Sequence, residues 1–324
     1  MDNFIFSLNA TMPIFLVMVL GKLLMSKGFF TKEFTSVADK YVFKVALPAS
    51  LFLDIASADI RHDFDICFVI FCMAVTTIMF LLSRLLAFAF IKDKSMTGSF
   101  TQACARGSAA VLGMAFVQNI YGSSGMTPMM IVAAVPLYNI YSVIALTFGA
   151  NKNPDGTYKE GFNTDKSTQV KKAFINVLKN PIIIGIFLGI PFSVFNIKIP
   201  AIPLKAINSV ASTSTPVALL TIGASFEGRK AISKIKPTVF ASFMKLLGFP
   251  LLFLPLAVLI GFRNEELVAI LIMLGAPTTV TSYIMAKNMG NDWVLSSSVV
   301  VCTTLFSSVT ITLWIFVLRS LGYI

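Results

Sequence analysis

The stretch Ala103–Met114 reads ACARGSAAVLGM, small and apolar residues with a single arginine in their midst. It lies at the middle of an apolar run over 98–122, about the length needed to cross a hydrocarbon core of roughly 30 Å. An arginine at the bilayer centre costs roughly 2.5 to 3.5 kcal/mol on insertion scales, so Arg106 is expected to face a polar cavity rather than lipid. Gly107 and Ser108 follow it directly, and a glycine there can end a helix in the left-handed conformation. The stretch therefore predicts a helix broken in mid-membrane.

The rest of the chain agrees with a membrane setting. Of 324 residues, 56% are hydrophobic and 13% charged, and the mean hydropathy is +0.83, values foreign to a soluble domain. Apolar runs fall at 3–25, 37–57, 64–91, 98–122, 126–149, 175–195, 203–225, 237–261, 265–289 and 292–320. The first has no basic flank and no cleavage signal, so it is expected to stay in the mature protein. Cys67, Cys72, Cys104 and Cys302 all sit inside apolar runs without CxxC spacing, which supports neither a disulfide framework nor a metal site. The net charge of +11 comes from lysines and arginines in alternate short loops. That pattern records orientation and is not a nucleic-acid patch. It predicts both termini outside the cell membrane and the polar linker at 150–174 in the cytoplasm.

That linker separates residues 1–149 from 175–324. An offset of 168 pairs Pro13 with Pro181, Gly21 with Gly189, Pro48 with Pro216, Gly107 with Gly275 and Gly122 with Gly290. The reading is two five-span copies. Because five is odd, the second copy is inverted, the arrangement of secondary transporters that bind substrate between their repeats. Pro48 and Pro216 are expected to interrupt their helices.

The mate of the opening stretch is Leu274-Gly275-Ala276-Pro277-Thr278-Thr279. Breaks in spans 4 and 9 would leave backbone groups that hydrocarbon cannot solvate, and would aim the positive ends of two half-helices at the centre. Arg106, Gly107, Ser108, Gly275, Pro277, Thr278 and Thr279 are accordingly the expected binding residues for an anion. Arg106 either grips a carboxylate with its planar fork or caps the free carbonyls of its own half-helix. No acidic residue is counted at the middle of a span, Asp54, Asp59 and Asp63 being placed towards the outer end of span 2 and its loop. Ser214, Thr215 and Asp54 are candidates for a coupling-ion site or a gate, the ion being Na⁺, H⁺ or none; no other cofactor and no metal is expected. Lys44, Arg84, Lys245 and Lys287 are read as snorkelling to the cytoplasmic surface. With His62 as the sole histidine, in a loop, and no acid–base pair at depth, an enzyme is not expected.

The motifs VALPASLF (45–52), RGSAAVLGMAFVQNIYG (106–122), TPVALLTIGASF (215–226) and GAPTTVTSYIMAKNMG (275–290) resemble, in order, those of the auxin efflux carrier family, which includes plant auxin exporters and bacterial malate or malonate permeases. The resemblance implies an all-α membrane fold of ten transmembrane helices in two inverted five-helix repeats. Helices 4 and 9 would be broken and cross beside the site, and the molecule would pair as a homodimer. It also implies a small organic anion, commonly a carboxylate such as malate or malonate or an auxin-like acid, as cargo. A receptor or channel that reuses the fold without coupled flux is the alternative.

Overall fold

Inside lipid each backbone N–H and C=O must find its partner within the chain, which makes helices the default for apolar runs. The computed structural model describes residues 2–57, 65–122, 125–150, 174–175, 177–195 and 197–324. Asp59, His62, Asp63 and nearly all of the linker at 150–174 lie outside the described residues.

Helix α1 spans Asp2–Ser26, and α2 (Lys32–Tyr41) runs through a π turn at Val42–Ala46 into α3 (Leu47–Ala56). Then come α4 (Ile66–Phe90), α5 (Thr97–Ala105), α6 (Ala109–Tyr121) and α7 (Thr127–Gly149). The second half contains α8 (Pro181–Val194), α9 (Ala201–Ala211), α10 (Ser214–Ser225) and the short α11 (Gly228–Ser233). After it α12 (Ile235–Phe243) passes through a π turn at Met244–Gly248 into α13 (Phe249–Ile260). The chain ends in α14 (Asn264–Gly275), α15 (Thr281–Asn288) and α16 (Trp293–Ser320). Each apolar run of the sequence falls on one helix or one helical pair. Four stretches, Ile66–Phe90, Thr127–Gly149, Ile235–Ile260 and Trp293–Ser320, are by themselves long and apolar enough to cross a membrane. Except in Thr127–Gly149, their outer faces carry large apolar side chains such as Leu81, Leu259 and Phe306, as a lipid-facing surface requires.

Pro48 does not break its helix as expected. It lacks the N–H that would bond the Lys44 carbonyl one turn back, and the π turn just before it, closed by the Leu47 N–H on the Val42 carbonyl, lets the helix continue. The same device precedes Pro250, where the released Leu246 carbonyl accepts a hydrogen bond from Trp314 Nε1 at 3.0 Å. Pro216 is the third residue of α10, where no N–H is needed. The interruption lies just ahead of it, at Ser212 and Thr213.

The helices sort into two groups by their packing. In one, α1 packs on α10, α3 on α8 and α9, and α2 on α10; in the other, α4, α5 and α7 pack together, and α12, α14 and α15 gather with α16. The main seam between the groups is α1 on α16. Within the first group, a Cβ on Gly21 would collide with the backbone of Leu220, and one on its 168-residue counterpart Gly189 would meet the carbonyl oxygen of Phe52, the counterpart of Leu220, at 2.9 Å. Small residues let the backbones approach this closely. Gly21→Leu is therefore expected to destabilise the protein by about 1–3 kcal/mol, the usual cost of overpacking. A thermal unfolding scan in detergent checks this, and an unchanged midpoint would contradict the close approach.

Candidate functional site

Both breaks fall where the sequence places them, but their geometry differs from a left-handed glycine stop. Arg106 ends α5 with φ −81° and ψ 124°, and Ala276 ends α14 with φ −62° and ψ 148°, both extended. The left-handed glycines sit instead at the far ends of the second half-helices, Gly122 at φ 76° and Gly290 at φ 68°. The equivalent break residues, Arg106 and Ala276, stand two positions beyond the 168-residue offset. The reason is pairing: the two extended segments form an antiparallel bridge between Gly107 and Thr278, and the Ser108 N–H donates to the Pro277 carbonyl at 2.8 Å. Each break satisfies part of the other.

Several of the remaining backbone groups find side chains. Lys245 Nζ donates to the carbonyls of Ala105 and Met273, each at 3.3 Å, and Tyr138 adds a bond to Met273 at 2.9 Å. Thr278 Oγ1 donates to Ala103 at 2.6 Å, Thr303 Oγ1 accepts from the Thr278 N–H at 3.0 Å, and Gln102 Nε2 reaches the Ser282 carbonyl at 2.7 Å. Lys245 is fully buried, so it does not snorkel; its ammonium is the cap of both first half-helices. Gly107 leaves it room, because a Cβ there would lie 2.8 Å from Nζ. Lys245→Met keeps the volume but leaves the Ala105 carbonyl, and one of the two donors to Met273, unreplaced. At about 1–3 kcal/mol for an unsatisfied buried group, the thermal midpoint should fall clearly. A midpoint equal to that of the parent would remove Lys245 from the capping scheme.

With Lys245 and Thr278 on the carbonyls, Arg106 does not cap its own half-helix. Its guanidinium donates to Asn139 Oδ1 at 2.8 Å and to the sulfur of Met285. Both acceptors are neutral, and among the described residues no carboxylate pairs with it. Arg106 is only 5% exposed, and it borders a cavity of about 280 Å³. The same cavity touches Gly107, Ser108, Pro277, Thr278 and Thr279, and also Ser214, Thr215 and Asp54. Gly275 is elsewhere, buried as the last residue of α14 with its α-carbon facing Pro250. The first turn of α6 opens on the cavity at Ala109 and Ala110, where the N–H groups have no acceptor within the helix.

Asp54, two residues before the end of α3 and exposed, also lines the cavity, which therefore extends to that end of the helix. Sequence reading passed over Tyr138, Asn139 and Thr304, which also line the cavity; the polar pair Tyr138-Asn139 inside an apolar span was the available signal.

A second polar cluster lies at the opposite end of the α2–α3 helix. Asp39, 2% exposed, forms an ion pair with Lys287 at 2.6 Å and accepts from the Tyr283 hydroxyl at 3.2 Å. Lys287 also reaches Ser225 Oγ at 3.2 Å, and Asn288 Nδ2 donates to the Asp39 carbonyl at 3.2 Å. Lys287 thus bridges α15 to α2 and α10 rather than snorkelling. The cluster joins the two helical groups. Asp39 and Asp54 are 15 residues apart on one helix, about 22 Å along its axis.

A family model described as "Membrane transport protein" matches residues 6–315. The chain is similar to the protein named "Uncharacterized transporter YfdV" of Escherichia coli K12, 24% identical over 323 residues that cover 97% of this chain and 98% of that one. It is also similar to an "Uncharacterized transporter" of Methanothermobacter thermautotrophicus, 21% identical over 316 residues, 97% and 99% of the two chains.

Proposed function

The chain belongs to the membrane transport protein family, the auxin efflux carrier-like group, and from that membership we propose that it carries a small organic anion, a carboxylate, across the cell membrane by alternating access. The observation that carries the reading is Arg106, a buried guanidinium without a counter-charge among the described residues, on the wall of a cavity between two helix breaks. A bound carboxylate would accept the guanidinium N–H groups left over from Asn139 and Met285, together with the N–H groups of the first turn of α6. The hydroxyls of Ser108, Thr278 and Thr279 add neutral donors. A cavity of about 280 Å³ falls just below the usual range of roughly 300 to 1,000 Å³, which favours a metabolite-sized acid such as malate or malonate.

The motion we propose is a shift of the group holding spans 3 to 5 and 8 to 10 against the group holding spans 1, 2, 6 and 7. The reciprocal contacts of Gly21 and Gly189 support two inverted copies related by a two-fold axis in the membrane. With both termini outside, the Asp39–Lys287 cluster closes the cytoplasmic side while the cavity reaches towards the outer end of α3.

Uptake of labelled dicarboxylates into proteoliposomes tests this function. Saturable uptake is expected. Specific binding of an acid without any flux would instead favour a receptor that reuses the fold.

A further inference from the structure

A bound carboxylate would satisfy Arg106 and leave the cavity with an unmatched negative charge. Asp54 lines the same space from α3, in the helical group opposite to that of Arg106. Among the described residues it takes part in no ion pair and no hydrogen bond, whereas the other carboxylates that meet a cation, Asp39, Glu227 and Asp292, each have a lysine. Besides Asp54, the ionisable groups that line the cavity are Arg106 and Tyr138, and the Tyr138 hydroxyl is engaged by Met273. The rest of the polar lining is neutral, with Ser50 one helical turn before Asp54.

Once an anion sits on Arg106, Asp54 therefore faces a cavity whose other polar lining is neutral, with no cation left in that lining to balance it. A second carboxylate on the cargo would add a like charge, which such a space disfavours. We propose that Asp54 is a cation subsite, so that each carboxylate bound at Arg106 travels with one positive charge held at Asp54. Ser50, Ser214 and Thr215 supply neutral oxygens on the same wall. The charge has three chemical sources: a proton on the carboxylate, a Na⁺ ion, or an ammonium group on the cargo itself. The inference rests on the carboxylate-carrier reading and adds the stoichiometry of charge to it.

The test is uptake of labelled malate, lactate and alanine into proteoliposomes, with a proton gradient, a Na⁺ gradient or a membrane potential imposed separately. Either malate and lactate uptake by the parent protein accelerates with one of the two ion gradients, or alanine enters without need of either. The first result places the charge on a separate ion, the second on the cargo. In Asp54→Asn the ion dependence, or the alanine uptake, is expected to fall at least tenfold, while Asp54→Glu retains part of it. Asp54 is exposed to the cavity, so the asparagine variant should fold, and its thermal midpoint verifies that. Carboxylate uptake that ignores both gradients, with alanine excluded, would overturn the proposal, as would an Asp54→Asn protein that keeps the parent's dependence. If the parent takes up none of the three acids, the carrier reading itself falls and this inference with it. Unchanged behaviour of Asp54→Asn in a protein that does transport defeats the inference alone.

Discussion

Arg106→Ala should bind and transport its carboxylate 10- to 150-fold more weakly than the parent, the equivalent of the roughly 1.5 to 3 kcal/mol that a hydrogen bond to a charged group contributes. The loss should appear in apparent affinity, because the guanidinium meets the cargo in the bound state. Arg106→Lys should recover little, since a point ammonium cannot reproduce the two parallel bonds of a planar fork. The fold should survive both changes. Arg106 holds no backbone carbonyl, and its described partners are the side chains of Asn139 and Met285, so the capping by Lys245 remains in place. Concentration-dependent uptake in proteoliposomes, read beside thermal midpoints, separates a binding role from a structural one. A variant that unfolds at low temperature but transports normally when folded would assign Arg106 to structure.

The second large effect is expected at the Asp39–Lys287 cluster, which the proposed orientation puts on the cytoplasmic side. Lys287→Met strips the buried Asp39 of its cation and leaves a charge in surroundings that cannot solvate it, a loss of about 3–5 kcal/mol by the usual cost of breaking a buried pair. The partner change Asp39→Asn, added to Lys287→Met, should restore most of the stability, because removing both charges also removes the desolvation penalty. That double variant should nevertheless differ from the parent in function. Without the ion pair between α2 and α15, the closed state of the proposed cycle would lose a contact that holds it. Cysteines placed along the cavity should then react more readily with reagents added from the cytoplasmic side. Labelling rates equal to the parent's would exclude the pair as a closure contact.

How far these features could be read in the sequence depends on the range of the interactions that make them. The apolar runs are local, and all ten recur as helices or helical pairs. The breaks at Arg106 and Pro277 are nearly local, since glycine, proline and an arginine at depth mark them without reference to the rest of the chain. What stops the helices is not local: the bridge between Gly107 and Thr278 joins segments far apart in sequence, so the left-handed glycine stop was the natural but incorrect expectation. Lys245 was misjudged for the same reason, because its acceptors are carbonyls 140 and 28 residues away. Depth alone cannot distinguish a snorkelling lysine from one turned inward. Pro48 was misjudged because a π turn has no signature in composition. Asp54 was placed by counting residues along its helix, while the cavity that reaches it is shaped by α6 and by the interruption before Ser214.

The central claim is that the cavity between the crossed breaks carries a small carboxylate through the membrane. Purified protein reconstituted into liposomes and supplied with labelled malate measures it most directly. The account predicts uptake that saturates with concentration, is competed by unlabelled short-chain carboxylates and needs a roughly 10- to 150-fold higher concentration to half-saturate in Arg106→Ala. Uptake no faster than in empty liposomes for malate, malonate and an auxin-like acid alike, by protein shown to be folded, would contradict it.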